Sequence, residues 1–89
     1  MNQIQQTRPL RVPELGLPDT DIRLTVWLVP LRTSVTAGDR LVEIVAGDAL
    51  IDLPAPCTGQ LSEKSVGEDS LVQVGQVLGW ITPAEDDHV

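Results

Sequence analysis

One spaced pattern of four residues occurs twice in this chain at a single fixed offset. A three-residue spacing could place these residues on one face of a helix. However, the glycine in the middle of each copy is flanked by turn-forming residues, which favours a turn that leads into a strand. Two similar halves predict a pseudo-twofold β-sandwich in which each half supplies strands to both sheets. The two copies are Val35, Gly38, Leu41 and Ile44, and Val72, Gly75, Leu78 and Ile81.

The composition agrees with an all-β fold. The chain has 89 residues, enough for one small domain, and 42% of them are hydrophobic. Seven glycines and seven prolines in so short a chain indicate many turns. The apolar residues are mainly Val, Leu and Ile, which are suited to strands and to a packed core.

Residues 22–29 give the clearest strand pattern, because apolar residues alternate along them. Short strands are also predicted over residues 11–15, where Pro13 favours an edge position, and over residues 60–66. The predicted core consists of Val12, Leu15, Leu24, Val26, Leu28, Val35, Leu41, Ile44, Leu50, Leu61, Val72, Leu78 and Ile81.

Residues 41–53 predict a β-hairpin. Two apolar runs flank the dipeptide Gly47-Asp48. This dipeptide suits a two-residue primed turn, since Gly has no Cβ and Asp tolerates the left-handed region. Residues 1–10 are polar and without period, which predicts a flexible lead-in before a domain over residues 11–82. Residues 83–89 form an acidic tail that is expected to fray.

The segment from Glu43 to Pro56 resembles the hairpin of lipoyl domains, in the biotinyl/lipoyl-attachment family. That family reads Glu-Ile-Glu-Thr-Asp-Lys-Ala-Thr-Val-Asp-Leu-Pro-Ala-Pro, and this chain reads Glu-Ile-Val-Ala-Gly-Asp-Ala-Leu-Ile-Asp-Leu-Pro-Ala-Pro. Further matches occur in order and at similar spacing over about residues 11–82. They are Val12-Pro13-Glu14-Leu15-Gly16, Val26-Trp27-Leu28-Val29, Val35 to Ile44, Pro54 to Leu61, and Val72 to Leu78.

The resemblance implies a flattened barrel-sandwich of two four-stranded antiparallel sheets with internal twofold symmetry. Within this family, the chain most resembles the lipoyl domain of 2-oxo acid dehydrogenase acyltransferases. The chain departs from the family in its turns: the family's Gly-Asp turn is Arg32-Thr33 in one half and Asp69-Ser70 in the other. It also departs at the tip, where the attachment lysine is replaced by Asp48.

A carboxylate cannot form the amide that holds lipoate or biotin, so no cofactor is expected. The tip equivalent to the attachment site is Gly47, Asp48 and Ala49. The resemblance then implies a protein-recognition or docking module for a larger enzyme complex, with contacts from Glu43, Ala46, Gly47, Asp48 and Asp52. The alternative for Asp48 is that it only suits the turn, because Asp is common where the backbone is left-handed.

A second hypothesis keeps the carrier function. It is a lipoyl domain of a 2-oxo acid dehydrogenase acyltransferase that is modified at another lysine, in which case lipoate is the cofactor. Lys64 is the only lysine, and it is predicted to lie within a strand rather than at a projecting tip. A solvated surface charge is therefore the favoured interpretation of Lys64. A third hypothesis is a role in an unrelated pathway.

No residue pattern predicts an enzyme. Cys57 and His88 are the only cysteine and histidine, too few for a zinc site, and the acidic residues lack the spacing of a calcium loop. Packing against the core is the predicted role of Cys57, Trp27 and Trp80. We do not expect a catalytic thiol at Cys57 or a binding face formed by the two tryptophans. The absence of a catalytic acid, base and nucleophile in one pattern predicts a non-catalytic domain.

The formal net charge of −7 disfavours nucleic acid and anionic membranes as partners, since both require Lys and Arg. The chain contains no apolar run long enough to cross a bilayer and no leader-like segment. We therefore expect a protein partner and a cytoplasmic location.

Overall fold

The computed structural model describes residues 6–84, which form eight β-strands and no helix. The strands form two four-stranded antiparallel sheets, with strand orders β1-β8-β6-β3 and β5-β4-β2-β7. The predicted all-β fold of two four-stranded sheets is therefore confirmed. The strands are β1 (Arg8–Arg11), β2 (Ile22–Trp27), β3 (Ser34–Val35), β4 (Arg40–Ala46), β5 (Ala49–Pro54), β6 (Gly59–Lys64), β7 (Ser70–Val72) and β8 (Val77–Pro83).

Side chains from both sheets form one apolar core between them. The largest side chains that are fully enclosed come from β2, β4, β6 and β8 and from the residue after β1. Six apolar residues of the sequence repeat are all buried, which explains why the repeat is kept in both halves. These six are Val35, Leu41, Ile44, Val72, Leu78 and Ile81.

The two copies of the repeat form the same local structure. Each runs from a short strand through a tight turn into a long strand, and its central glycine has a positive φ, 94° at Gly38 and 86° at Gly75. The Gly38 amide donates to the Ala55 carbonyl (3.0 Å), and the Gly75 amide donates to the Val12 carbonyl (2.8 Å). Equivalent hydrogen bonds in both halves confirm the predicted pseudo-twofold symmetry.

Two non-glycine residues occupy equivalent left-handed positions in the halves. The φ angle is 73° at Arg32 and 68° at Asp69, where the resembled family has glycine. The Arg32 amide donates to the Leu61 carbonyl and the Asp69 amide donates to the Leu24 carbonyl, both at 2.7 Å. The turn geometry is thus retained although the glycine is lost. A side chain with a Cβ is strained in this region, and Asp tolerates it better than Arg.

We expect Arg32→Gly to stabilise the domain by about 0.5–1 kcal/mol, because it removes the left-handed strain and loses only part of that gain to the more flexible unfolded chain. The measurement is the urea midpoint of unfolding. Arg32→Ala removes the same guanidinium but keeps the Cβ, and it should give no gain. An equal gain from both variants would assign the effect to the charge instead.

An irregularity in β2 changes which side chains face the core. Its register with β4 shifts between Leu24 and Val26, so that Thr25 is an extra residue. After this bulge, Trp27 is buried, Val26 is half-buried and Leu28 is exposed. The prediction of Val26 and Leu28 as core residues is therefore wrong, because it assumed unbroken alternation along the strand.

The first strand lies earlier than predicted. It spans Arg8–Arg11 rather than residues 11–15, and so includes residues 8–10 of the predicted lead-in. It pairs with β8 through Arg8 opposite Ile81 and Leu10 opposite Gly79, which buries Leu10. Leu15 lies in the following loop and is half-buried against the core. At the other end, Pro83 of the predicted tail is the last residue of β8. Residues 1–5 of the predicted lead-in and 85–89 of the predicted tail lie outside the described residues.

The two ends of the described chain lie together, away from the β4–β5 turn. β1 starts beside the last residues of β8. The Ala84 amide donates to the Thr58 carbonyl (2.9 Å), and the Thr58 hydroxyl accepts from the Ala37 amide (2.9 Å), in the turn before β4. From that turn, β4 runs seven residues to Ala46 at the hairpin, a distance of about 20 Å.

Candidate recognition site at the hairpin

The β4–β5 connection is a two-residue turn, as predicted. Ala46 pairs with Ala49 at the end of the ladder, so Gly47 and Asp48 form the tip. Gly47 has a φ of 59°, whereas Asp48 is not among the residues with positive φ. A positive φ at the first central residue alone, with glycine there, is the pattern of a type II′ turn. Asp48 therefore does not use the left-handed conformation that was predicted to suit it.

The tip presents a carboxylate and an apolar side chain to solvent. Gly47 and Asp48 are both exposed. Leu50 is 68% exposed, so its prediction as a core residue is wrong. It pairs with Val45 on the outer face of the sheet, whereas the neighbouring Ile44–Ile51 pair faces the core. Alternation along β5 thus places Leu50 on the free surface, two residues after Asp48.

The loop between β1 and β2 lies beside the tip. A Cβ placed on Gly47 would be 3.5 Å from Thr20 Cγ2. Thr20 lies beside Gly47 because Ile22, two residues after Thr20, starts β2 directly opposite Ala46. Sequence reasoning did not include Thr20 in the site, since nothing in the local sequence indicates a contact with a segment so much later in the chain.

Glu43 and Asp52 lie at the base of the hairpin rather than at its tip. They are directly opposite each other across β4 and β5. The Thr25 hydroxyl donates to Glu43 Oε2 (2.8 Å), and Arg40 Nη1 donates to Asp52 Oδ2 (3.3 Å). Both carboxylates line a shallow cavity of about 600 Å³. The predicted recognition residues therefore form two groups separated by about 10 Å of strand.

Ala46 is not part of the exposed surface of the hairpin. Its side chain is 1% exposed and is part of the core. The prediction that Ala46 contacts a partner therefore requires correction. The inward-facing positions of β4 include Ile44 and Ala46, and a small residue is accommodated where the hairpin turns over the end of the core.

The only lysine lies on the other sheet. Lys64 ends β6, and its Nζ is 5.3 Å from the centroid of the Trp27 ring, within the range of a cation–π interaction. The Trp27 indole Nε1 donates to the Val66 carbonyl (2.9 Å). Trp27 pairs with Val42, four positions before Ala46 at the hairpin. Lys64 is thus placed on the barrel wall and not at a projecting turn.

The remaining candidate side chains do not converge. Cys57 is half-buried and packs against the core, as predicted for a packing residue. His88 lies outside the described residues. Within residues 6–84, no cluster of His, Cys, Asp or Glu could hold a metal ion, and no polar or charged side chain is buried. The same residues contain no helix that could cross a membrane.

Comparison with known proteins gives sequence relatives of one kind. The chain is 34% identical over 79 residues to the dihydrolipoyllysine-residue acetyltransferase component of the pyruvate dehydrogenase complex of Mycobacterium bovis, which covers 89% of this chain and 14% of the relative. It is 32% identical over 75 residues to the dihydrolipoyllysine-residue succinyltransferase component of the 2-oxoglutarate dehydrogenase complex of Bartonella vinsonii subsp. berkhoffii, covering 84% of this chain and 18% of the relative. The chain therefore spans less than a fifth of the length of these relatives.

A solved structure shares the fold. It is a single-chain, multi-domain long-chain acyl-CoA carboxylase, which matches with a TM-score of 0.74 at 18% identity over 98% of this chain and 8% of that protein. No family model matches the chain.

Proposed function

Because this chain belongs to the biotinyl/lipoyl domain family, we propose that it is a lipoyl-like domain without a lipoyl group that docks onto a larger enzyme complex through its hairpin. The relatives are components of multienzyme complexes, which supports a partner of that kind. The proposed site of action is the cytoplasm. In this proposal the hairpin is a fixed contact surface rather than an attachment point for a mobile arm.

The observation that carries the proposal is the residue at the tip. The hairpin is retained with a two-residue turn, and Asp48 is exposed at the position of the family's attachment lysine. Asp48 offers a carboxylate that can pair with a cation on a partner but cannot form the amide of lipoyl-lysine. Leu50, two residues later, is 68% exposed and adds an apolar side chain to the same surface. A charged group beside an apolar group is suited to protein recognition.

The acyl-carrier alternative requires Lys64. A carrier arm must visit several active sites, so its lysine must project, whereas Lys64 lies over Trp27 at the end of β6. A role as a catalyst also lacks support, because the sequence predicts no catalytic acid, base and nucleophile in one pattern. The docking function is thus the one that the geometry favours.

The first test is the intact mass of the protein purified from its own host. We expect a mass equal to that of the unmodified chain. An added lipoyl or biotinyl mass would contradict the proposal. In that case Lys64→Arg distinguishes the attachment points, because it abolishes the added mass if Lys64 carries the group and leaves it unchanged if the amino terminus does.

The second test is recovery of a complex component with the affinity-tagged chain from the same host. We expect Asp48→Arg to reduce the recovered component at least tenfold, since reversing a charge at an interface costs several kcal/mol. Glu63→Arg makes the same charge change at an exposed position of β6 and should leave recovery unchanged. Equal recovery with all three proteins would show that the tip is not the docking surface.

A further inference from the structure

Exposed apolar side chains concentrate in one groove beside the hairpin. Within residues 6–84, six large hydrophobic residues are exposed, and three of them line this groove: Leu17 at 42%, Leu71 at 59% and Val74 at 47%. Clusters of this kind on a small domain mark interaction sites more often than scattered single residues do. None of the three has a packing role in the core, so the fold alone gives no reason for them.

The groove has a buried floor and two exposed walls. Ile22 and Val72 are opposite each other in the β2–β7 pair and form the floor. The loop over residues 14–21 forms one wall, and residues 71–76 form the other. The volume is about 700 Å³. Most lining side chains are exposed to solvent, so the shape fits a segment of polypeptide lying across the surface rather than an enclosed small molecule.

The charged residues that line the groove itself are all acidic. Glu14, Asp19 and Asp21 line it, and no Lys or Arg does. Two arginines lie at the ends of the second wall and outside the lining: Arg11 Nη1 donates to the Gly75 carbonyl (2.8 Å) and Arg23 Nη1 donates to the Asp69 carbonyl (2.9 Å). Their guanidinium groups keep their charge, so the acidic character belongs to the lining and to the wall over residues 14–21. An apolar strip edged by carboxylates attracts cationic partners and repels acidic ones.

We propose that this groove binds a segment of a partner protein in which aliphatic side chains alternate with Lys or Arg. The aliphatic groups cover Leu17, Leu71 and Val74, and the cations pair with the carboxylates of Asp19 and Asp21. The inference goes beyond docking through the hairpin tip, because the groove has its own apolar contacts and its own charges. The two surfaces adjoin, since Thr20 lines the groove and also lies beside Gly47.

The test is a titration of the full chain, labelled with nitrogen-15, with a short capped peptide of alternating Lys and Leu. We expect the largest amide shifts over residues 17–22 and 71–76. Two peptides of equal length serve as probes of chemistry, one with Glu in place of Lys and one with Ser in place of Leu. Neither should bind within the concentration range used. Equal binding by either peptide, or shifts scattered over the surface, would overturn the proposal.

Variants locate the interaction. Leu71→Ser should weaken binding of the Lys-Leu peptide about tenfold, whereas Leu31→Ser, at 44% exposure in a distant turn, should not change it. The double variant Asp19→Asn and Asp21→Asn should weaken binding to a similar degree and reduce its salt dependence. Asn also tolerates the φ of 58° at residue 19, so this change keeps the loop.

Asp48→Asn separates the two surfaces. Unchanged peptide binding by this variant, together with the loss in Leu71→Ser, supports a groove that acts independently of the tip. Loss of peptide binding in Asp48→Asn with no effect of Leu71→Ser would place the peptide on the tip and refute the groove. Failure of hairpin docking in the host leaves this titration unaffected, so the two proposals can fail separately.

Discussion

We expect Gly59→Ala to destabilise the domain by roughly 3 kcal/mol, a large part of the ~5–15 kcal/mol that stabilises a typical domain. Gly59 is a buried residue at the start of β6, with Pro83 of β8 opposite it. A Cβ there would overlap the Thr82 carbonyl oxygen and lie 2.8 Å from the Thr82 carbonyl carbon. These are backbone atoms, so two strands must move apart to admit one methyl group.

Urea unfolding followed by tryptophan fluorescence measures this effect, since Trp27 is buried and loses its environment on unfolding. Gly67→Ala is the matched control. Gly67 lies in the connection between β6 and β7, has no positive φ, and a Cβ placed there meets no atom within 4 Å. We expect that variant to equal or slightly exceed the native stability. Equal stability of both variants would mean that β6 and β8 are not in the close contact described.

The second large effect is a gain of modification. We expect Asp48→Lys to accept lipoate when a lipoate ligase is supplied, because the new lysine would project from an exposed two-residue turn whose ladder closes at Ala46 and Ala49. The measurement is the intact mass after incubation, with the native chain remaining unmodified. We expect nearly complete lipoate attachment in Asp48→Lys and none in the native chain.

Leu50→Lys is the control for this experiment. It also places an exposed lysine in the hairpin, but on strand β5 rather than in the turn. We expect it to stay unmodified. If Asp48→Lys also stayed unmodified while folding normally, then the surface that a ligase recognises would have changed along with the lysine.

The fold could be predicted because its main determinants are repeated and local. The spacing from Val35 to Ile44 specifies a turn and an inward-facing strand, and the second copy specifies the same structure again. The bulge at Thr25 could not be predicted in this way. A bulge adds one residue between paired positions of β2 and β4, and its effect depends on the partner strand, which the sequence of β2 does not contain.

The candidate sites differ in the same way, since one is formed by adjacent residues and the other by residues far apart in the chain. The hairpin tip was recognised because Gly47 and Asp48 are adjacent and have a known turn preference. The groove was not, because Leu17 and Val74 are far apart in the chain and meet only after β2 has paired with β7. The assignment of Leu50 to the core was wrong for a related reason, since an apolar side chain on a strand gives no sign of which face will be covered.

The position of the chain ends determines how such a domain can be joined to a larger protein. Arg8 and Ala84 lie at one end of the barrel, and Asp48 lies at the opposite end. Polypeptide joined at either end would leave from the far side of the barrel. The domain can therefore be carried at a terminus or inserted within a loop of a larger protein, with its hairpin and adjoining groove facing outward in both cases.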